Sequence, residues 1–367
     1  MPRQGGATLT ANHEINVAIN VPYFREVDGA HTRILAETGF RVEYADHSLE
    51  SSEVRELVGR IDPHYVVAYE EGWTEEAITA ANRLRGIIKF GKGTDSIDLE
   101  SASRHGVAVT NTRYCNVMPT VEMARGLLHC ALREIPLRNE EVSRGEWNQP
   151  LVGELARSTV LIVGFGDLGM WLAKDLFESG VRVIVCSRSL GERQSAMIDY
   201  LRTLPGGWRR MERYFPAGDH TGYGTIDWIS RDQLDARRHE ADSIIFMLPL
   251  TKDTEGIADR TFLQGCKPGV IVGNVGRGRL IADESAVAEL LDSGQLRWFF
   301  ADVLRDEPAT VGSTPLLEHP RATLMPHIGA ATKQNLVRCG STAVNIMTAL
   351  HEGRPLPEGR IWLVPPG

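Results

Sequence analysis

Cysteine is scarce in this chain, and long apolar runs are absent. Five cysteines occur among 367 residues, at Cys115, Cys130, Cys186, Cys266 and Cys339, and none belongs to a CxxC pair. This scatter excludes a disulfide framework and a cysteine-rich metal site, so we expect reduced thiols, no bound metal and a cytoplasmic location. No apolar run is long enough to span a bilayer, and the N-terminus lacks the basic-then-apolar pattern of a secretion signal.

An excess of positive charge is lacking too. The chain has 40 basic and 48 acidic residues and a net charge of −8, which disfavours nucleic acid or an anionic membrane as a partner. A small anion held by a local basic site is not excluded. With 42% hydrophobic and 24% charged residues, the composition predicts a soluble globular protein of two domains.

The strongest pattern that is present is an apolar segment followed by closely spaced glycines. Thr159–Val163 has the sequence of a buried strand, and Gly164-x-Gly166-x-x-Gly169 follows it directly. Next comes an amphipathic segment with leucines at helical spacing, which ends at Gly180. Strand, glycine turn and helix in this order predict a dinucleotide-binding site.

Each glycine of this motif has a distinct physical role. Gly164 permits the tight turn, Gly166 lets the backbone approach a pyrophosphate, and Gly169 lets the helix pack close to the strand. Asp167 and Leu168 begin the helix, whose free N–H groups and positive dipole end favour phosphate. We therefore predict that residues 164 and 166–169 bind the cofactor.

The end of the next strand indicates which dinucleotide is bound. A site for NAD usually has Asp or Glu there to bind the ribose 2′-hydroxyl, whereas this chain has Ser187, Arg188 and Ser189. A carboxylate would repel a 2′-phosphate, and a hydroxyl with a guanidinium would bind it. We expect NADP(H) to be preferred and NAD to be possible. The alternative is that Arg188 is a solvated surface residue and that both cofactors are accepted.

Three polar side chains follow three successive apolar strands near the C-terminus. They are Arg277, Glu307 and His327, and ligand sites of open α/β sheets lie beyond the carboxyl ends of strands. A histidine can remove the proton of an alcohol that loses a hydride, and a carboxylate beside it favours its charged form. An arginine can bind a substrate carboxylate at two points. Each residue alone is weak evidence, but together they predict a catalytic site.

With these motifs in place, the chain resembles the D-isomer-specific 2-hydroxyacid dehydrogenase family over nearly its whole length. The motifs that carry the resemblance, in chain order, are 90–98 (FGKGTDSID), 109–111 (VTN), 164–169 (GFGDLG), 247–251 (MLPLT), 274–278 (NVGRG), 302–308 (DVLRDEP) and 326–330 (PHIGA). The resemblance implies Arg277 as substrate clamp, Glu307 as partner of the histidine and His327 as acid/base. It also implies that Asp302 holds the nicotinamide carboxamide.

Further positions follow from the same resemblance. It implies that Leu248, Pro249 and Val275 line the dinucleotide and that the backbone at Lys92 and Gly93 meets the acid group of the substrate. It implies two α/β domains, Rossmann-like and flavodoxin-like, each with a parallel sheet, with the active site in the interdomain cleft. The substrate-binding domain would comprise residues 1–125 and 330–367, and the Rossmann domain residues 126–329. A homodimer is also implied.

The regular alternation of strands and helices has one gap. We expect one long helix over residues 116–137 and an insertion around residues 190–240, which is long for a connection between two strands. The segments at 205–210 and 216–222 are typical of loop, and Trp208, Arg209, Arg210, Arg213 and Tyr214 could reach the adenine side or a partner subunit. An exposed insertion without ligand contact is the simpler interpretation.

The sequence leaves the substrate open. Our main hypothesis is interconversion of a small 2-hydroxy acid and its 2-oxo acid by hydride transfer. Lys92 suits a dianionic group, and Trp147 after an Arg-Gly pair is similar to phosphite dehydrogenase, so phosphite or a hydroxyphosphonate is the alternative. Lys92 facing solvent and Trp147 packing between domains would be structural explanations. A nucleotide-sensing protein, like corepressors of this family, is an alternative of another class.

Overall fold

The computed structural model describes residues 15–45, 49, 51–203, 224–357 and 360–366. The chain divides into two compact units. One unit comprises the residues up to Asn116 together with those from Lys333 onward, and the other is Val117–Thr332. Each unit is built on one parallel sheet with helices, which confirms the predicted α/β class with Rossmann-like and flavodoxin-like domains.

The first unit contains a five-stranded sheet in the order β2-β1-β3-β4-β5, and every pairing is parallel. This 2-1-3-4-5 order is that of flavodoxin-like folds. Its strands are β1 Asn16–Ile19, β2 Arg41–Tyr44, β3 Tyr65–Ala68, β4 Gly86–Lys89 and β5 Ala108–Asn111.

Apolar side chains on the strands of this sheet hold its helices. Val17, Ile19 and Val67 pack with Ala343 and Met347 of the C-terminal helix in one buried cluster. The period of apolar residues in the sequence predicted these elements because parallel strands are covered on both faces. The helices of the unit are α1 Ala30–Glu37, α2 Ser51–Ile61, α3 Glu75–Ala80, α4 Leu99–Arg104 and α12 Lys333–His351.

The second unit contains a seven-stranded sheet in the order β12-β11-β10-β9-β6-β7-β8, again with parallel pairings only. The chain order reverses between β6 and β9, and such a switch point is where doubly wound sheets bind ligands. The strands are β6 Thr159–Val163, β7 Arg182–Ser187, β8 Thr225–Ser230, β9 Ser243–Phe246, β10 Val270–Asn274, β11 Leu296–Ala301 and β12 Ala322–Leu324.

The expectation of one continuous helix over residues 116–137 is wrong. The helix ends at Arg133, and Glu134 adopts a left-handed φ of 52°, after which a second helix begins. Pro136 lies in the first turn of that helix, where its missing N–H costs no hydrogen bond. The helices of the second unit are α5 Val117–Arg133, α6 Ile135–Ser143, α7 Asp167–Glu178, α8 Glu192–Thr203, α9 Leu234–Arg237, α10 Arg260–Gln264 and α11 Glu284–Asp292.

The segment 190–240 is not a single connection between two strands, which corrects the prediction. It contains α8 and the edge strand β8, which pairs with β7 from Arg182 and Thr225 to Ser187 and Ser230. β8 is the third strand of the nucleotide-binding order 3-2-1-4-5-6. Residues 204–223 lie outside the described residues, and with them the expected loops and Trp208, Arg209, Arg210, Arg213 and Tyr214.

Candidate active site

The glycine motif connects β6 to α7 as predicted. Gly164 has a φ of 116°, and a Cβ on it would lie 2.8 Å from the carbonyl carbon of Met247. A Cβ on Gly169 would lie 2.0 Å from the carbonyl oxygen of Gly164. A Cβ on Gly166 would have no heavy atom within 4 Å other than those of its two chain neighbours. The turn therefore has no room for a side chain at its outer glycines, whereas Gly166 faces open space, which fits the close approach of a pyrophosphate.

The N-terminus of α7 carries the two non-glycine residues of the motif. Leu168 is half-buried and packs against the core of the unit. Asp167 is buried, and its carboxylate accepts a hydrogen bond of 3.1 Å from Arg193 Nη1. A negative charge at this end of a helix is favoured by the helix dipole.

The predicted specificity residues lie at the end of β7. The Ser187 hydroxyl accepts a 2.9 Å hydrogen bond from Trp228 Nε1 and donates one to the carbonyl of Ser189. The side chain of Arg188 is 80% exposed, and its Nη1 lies 3.7 Å from an Asp253 carboxylate oxygen that is also exposed. The hydroxyl is thus held in place by the protein, while the guanidinium extends into solvent beside it.

The loops after β9 and β10 contact each other through their backbones. A Cβ on Gly276 would lie 2.7 Å from the carbonyl oxygen of Leu248, which leaves no room for a side chain there. Val275 is buried and donates its N–H to Phe246, whereas Pro249 is exposed. The predicted lining residues therefore surround the switch point of the sheet.

Asn274, for which the sequence indicated no role, organises the turn that presents Arg277. Its side-chain amide is fully buried, donates to the Arg277 carbonyl at 2.9 Å and accepts from Gly276 N–H at 3.2 Å. The signal was available, because an amide at the end of a buried strand needs local backbone partners. Arg277 is half-buried, and its Nη1 donates to the Gly276 carbonyl at 2.9 Å.

The predicted histidine and carboxylate are in direct contact. His327 Nδ1 lies 2.8 Å from Glu307 Oε2, and Glu307 Oε1 accepts the N–H of Leu304 at 2.9 Å. Burial alone would raise the pKa of Glu307, but the bond to His327, the Leu304 N–H and the charge of Arg277 outweigh it and lower this pKa. The structure therefore brings Arg277, Glu307 and His327 together at one edge of the sheet.

His327 sits in an unusual backbone conformation. Its φ is 54°, in the left-handed region that few residues other than glycine adopt, and its N–H donates to the Asp302 carbonyl at 2.8 Å. Such local strain persists where surrounding contacts hold it, and it clusters at functional sites. The conformation turns the imidazole toward Glu307.

Asp302 fixes this turn with its side chain. Its two carboxylate oxygens accept the N–H groups of Ile328 and Gly329 at 2.9 and 2.8 Å. Burial raises the pKa of Asp302, against the lowering effect of those two N–H groups and the charge of His327. A carboxylate has about four acceptor positions, and these two bonds use two of them. The sequence did not indicate that Asp302 also positions the histidine turn.

Lys92 and Gly93 belong to the first unit and follow β4. The Lys92 carbonyl accepts a 2.9 Å hydrogen bond from the Asn111 amide, and Gly91 N–H donates to Thr112 Oγ1 at 2.7 Å. The side chain of Lys92 is exposed. The loop is thus tied to the end of β5 by its backbone.

A second lysine lies beneath that loop. Lys89 at the end of β4 is buried, donates to the Tyr69 carbonyl and lies 3.3 Å from a carboxylate oxygen of Glu70. Next to it, buried Glu71 accepts hydrogen bonds from the side chains of Asn20 and Trp73 at 2.9 and 3.0 Å. The sequence analysis did not identify Lys89, although a lysine at the end of an apolar strand indicates a charge at the edge of the sheet.

Two further findings concern metals and membranes. Within residues 15–45, 49, 51–203, 224–357 and 360–366, no cluster of three or more ligand side chains could hold a metal ion. Over the same ranges, no helix has the length and apolar content needed to cross a bilayer.

Known proteins share this architecture. D-3-phosphoglycerate dehydrogenase of Mycobacterium tuberculosis H37Rv is 29% identical over 285 residues, which are 77% of this chain and 48% of that protein. The chain therefore spans about half the length of this curated relative.

Among solved structures, the TT0316 protein from Thermus thermophilus is 26% identical, with a TM-score of 0.76 over 94% of this chain and 99% of the other. The NADPH-dependent glyoxylate/hydroxypyruvate reductase of Sinorhizobium meliloti has a TM-score of 0.70 at 21% identity, over 92% and 94% of the two chains, which shows the fold alone.

The nucleotide-binding unit also matches a family model. Residues 125–204 and 223–329, just over half of the chain, match the model described as D-isomer specific 2-hydroxyacid dehydrogenase, NAD binding domain. This match covers the glycine turn, the Arg277 turn and the His327–Glu307 pair. The chain belongs to the D-isomer specific 2-hydroxyacid dehydrogenase family.

Proposed function

We propose that the protein is an NAD(P)-dependent oxidoreductase that interconverts a small 2-hydroxy acid and its 2-oxo acid. The observation that carries the proposal is the 2.8 Å contact between His327 Nδ1 and Glu307 Oε2, on the sheet edge that also holds the open glycine turn. Family membership supports the reaction class. D-3-phosphoglycerate dehydrogenases and glyoxylate reductases are among the similar proteins.

The residues fit a dinucleotide because Gly166 faces open space at the N-terminus of α7. When bound, the nicotinamide supplies the hydride acceptor or donor. His327 takes the hydroxyl proton on its Nε2 during oxidation and returns it during reduction, since Nδ1 is engaged by Glu307. Glu307 fixes the ring and stabilises the imidazolium that forms.

Arg277 is the proposed clamp for the acid group. A guanidinium binds a carboxylate through two parallel N–H bonds and polarises the adjacent carbonyl as negative charge develops on its oxygen. Its charge already acts on Glu307, whose pKa it helps to lower. Asp302 orients the histidine turn, and the backbone of Lys92 and Gly93 is the proposed second contact for the acid group.

We further propose a preference for NADP(H), based on Arg188. The side chain is exposed next to Ser187, whose position contains no carboxylate to repel a 2′-phosphate.

We expect Arg188→Ala to lower the ratio of kcat/KM for NADPH over NADH by about tenfold to a hundredfold, because one charge-assisted phosphate contact is lost. Steady-state kinetics with both cofactors measure the ratio. Arg202→Ala is the control, since Arg202 is also exposed but lies in the last turn of α8. An unchanged ratio in Arg188→Ala would assign the preference elsewhere.

A homodimer is the proposed assembly. Ile135 and Val142 of α6 and Trp147 and Leu151 beyond it are large apolar side chains that are between 49% and 103% exposed. Large exposed apolar side chains that lie close together in sequence, on one helix and the segment after it, are consistent with a protein interface. A molar mass of twice the 40.6 kDa chain in light scattering tests this assembly.

The activity is tested with a substrate panel followed by absorbance of the reduced cofactor. The panel contains glycerate, lactate, D-3-phosphoglycerate, phosphite and hydroxymethylphosphonate, and the 2-oxo acids glyoxylate and hydroxypyruvate in the reverse direction. We expect turnover of at least one carboxylate substrate, faster with NADP(H) than with NAD(H). Turnover of phosphite or the phosphonate alone would reject the hydroxy-acid class. NADPH binding without any turnover would favour a nucleotide-sensing role.

A further inference from the structure

Two of the five cysteines lie next to each other in the first unit. Cys115 follows β5, and Cys339 lies in α12, which packs on the same sheet. Both side chains are buried in one cluster, and Cys115 Sγ lies 3.4 Å from Thr342 Oγ1, which is three residues after Cys339 in α12. The Cys339 thiol donates to Asn335 Oδ1 at 3.5 Å. Neither residue belongs to the proposed catalytic machinery, so their pairing has no explanation in the hydride-transfer reaction.

Polar and cationic groups surround the sulfur of Cys115. Arg360 Nη2 and Thr342 Oγ1 both lie 3.4 Å from Cys115 Sγ, and Arg338 Nη2 donates to the Cys115 carbonyl at 3.3 Å. The guanidinium of Arg360 is held over the Tyr114 ring at 5.7 Å, a cation–π contact that fixes it beside the sulfur. A buried thiol in an apolar core has no such partners.

These contacts shift the pKa values of the two thiols in opposite directions. The neighbouring Cys339 side chain, together with Thr342 and the charges of Arg360 and Arg338, lowers the pKa of Cys115 although burial opposes it. The neighbouring Cys115 side chain, together with burial, raises the pKa of Cys339. Cys115 is therefore the thiol of the pair that loses its proton more easily, and the thiolate is the reactive form of cysteine.

We propose that Cys115 and Cys339 are a redox pair that a small hydroperoxide converts into an intramolecular disulfide. Cys115 attacks, Cys339 resolves, and Arg360 stabilises the attacking thiolate. The reaction is independent of the proposed dehydrogenase activity.

The chemistry balances in two steps. The Cys115 thiolate attacks one peroxide oxygen, the O–O bond breaks, and the leaving hydroxide takes a proton to become water, which leaves Cys115 as a neutral sulfenic acid. This oxidation removes the negative charge that helps to raise the pKa of Cys339. The Cys339 sulfur then attacks Cys115 Sγ, the S–O bond breaks, and a second water forms. Two thiols and one peroxide give one disulfide and two waters.

The disulfide would join the two segments next to which the chain passes from one unit to the other. The chain leaves the first unit after Asn116 and returns to it at Lys333, the first residue of α12. Cys115 lies just before the first of these two passages, and Cys339 lies shortly after the second. A cross-link here closes a loop that contains the whole nucleotide-binding unit, and such a loop reduces the entropy of the unfolded chain.

The test is peptide mapping by mass spectrometry after treatment of the full chain with one equivalent of hydrogen peroxide. We expect one linked peptide pair, containing Cys115 and Cys339, that has lost two hydrogens and separates on reduction with dithiothreitol. Cys130 is the control, because it is the most exposed of the five thiols and burial raises its pKa. Cys115 should react at least about tenfold faster than Cys130 with the peroxide.

Two variants separate the roles without removing the attacking thiol. In Cys339→Ser we expect the reaction to stop at a Cys115 sulfenic acid that a 1,3-dione reagent traps. In Arg360→Leu we expect slower oxidation of Cys115, and Arg360→Lys should restore part of the rate because it restores the charge. Equal rates at Cys115 and Cys130, or a sulfenic acid in the wild-type chain that never becomes a disulfide, would overturn the proposal.

Discussion

His327→Asn and His327→Ala lower kcat for the 2-hydroxy acid by about a hundredfold to ten-thousandfold, the usual contribution of a positioned acid/base group. The affinity for the dinucleotide changes little, because the glycine turn after β6 is a separate element from the turn after β12. Stopped-flow hydride transfer measures the first quantity, and quenching of protein fluorescence by the dinucleotide measures the second.

The choice of asparagine follows from the backbone. His327 has a φ of 54°, and asparagine adopts the left-handed region more readily than alanine does. His327→Asn therefore removes the imidazole with less strain, so a loss of rate shared by both variants reflects chemistry. A rate loss confined to the alanine variant, together with a lowered Tm, would instead indicate a structural role for this position.

Glu307→Gln is the matched variant for the partner of the histidine. Glutamine can still contact Nδ1, but it carries no charge to stabilise the imidazolium, so a loss smaller than that of His327→Asn is expected. The acidic limb of the pH–rate profile for oxidation moves to lower pH. The unprotonated ring of His327 is the active base, and without the carboxylate charge it stays unprotonated down to a lower pH. Near-normal turnover in His327→Asn would refute the mechanism.

The sequence identified the parallel strands and their ends because these strands are buried on both faces. Such strands appear as continuous apolar runs, as in Thr159–Val163 and Val270–Asn274, and the polar residues that follow them mark the carboxyl edge of the sheet. That is why Arg277, Glu307 and His327 could be predicted to meet. Strand order and direction place all three residues at the same edge of the sheet.

Edge strand β8 was missed for the converse physical reason. Only Ile226 and Ile229 of its six residues are buried, and Asp227 and Trp228 interrupt the apolar run. A half-exposed strand at the end of a sheet has no continuous signal, and its identity depends on pairing with β7, which local sequence does not encode. The break at Glu134 is similar, since one left-handed residue decides it.

Parts of the site depend on contacts between residues far apart in sequence. Asp302 positions Ile328 and Gly329 through hydrogen bonds that span 26 and 27 residues. A motif shows that these residues recur together, but it does not show that the carboxylate holds the histidine turn. The same holds for the Cys115–Cys339 pair, because the two cysteines have no distinguishing sequence context and meet only when α12 packs on the first sheet.

Arg277→Ala is expected to affect both binding and chemistry. Removing a group that binds the acid and stabilises charge on the reacting oxygen costs about a hundredfold to a thousandfold in kcat, and KM for the acid rises as well. Arg277→Lys should recover little of this loss, because an ammonium is a point charge that cannot form the two parallel bonds of a guanidinium. Steady-state kinetics with the best substrate of the panel measure both parameters.

The pH dependence of the same variant separates the clamp from a purely structural arginine. Arg277 contributes to lowering the pKa of Glu307, so its removal lets that pKa rise, with burial of Glu307 still acting in the same direction. A carboxylate with a lowered pKa keeps its charge down to lower pH, and that benefit is lost as pH falls through the pKa. In Arg277→Ala the charge of Glu307 is therefore lost at higher pH. Removal of the positive charge of Arg277 also makes the imidazolium of His327 easier to form, so the acidic limb of the oxidation profile moves upward, opposite to its shift in Glu307→Gln. An unchanged KM for the acid, together with an acidic limb at its wild-type position, would show that Arg277 neither holds the substrate nor acts through its charge on the His327–Glu307 pair.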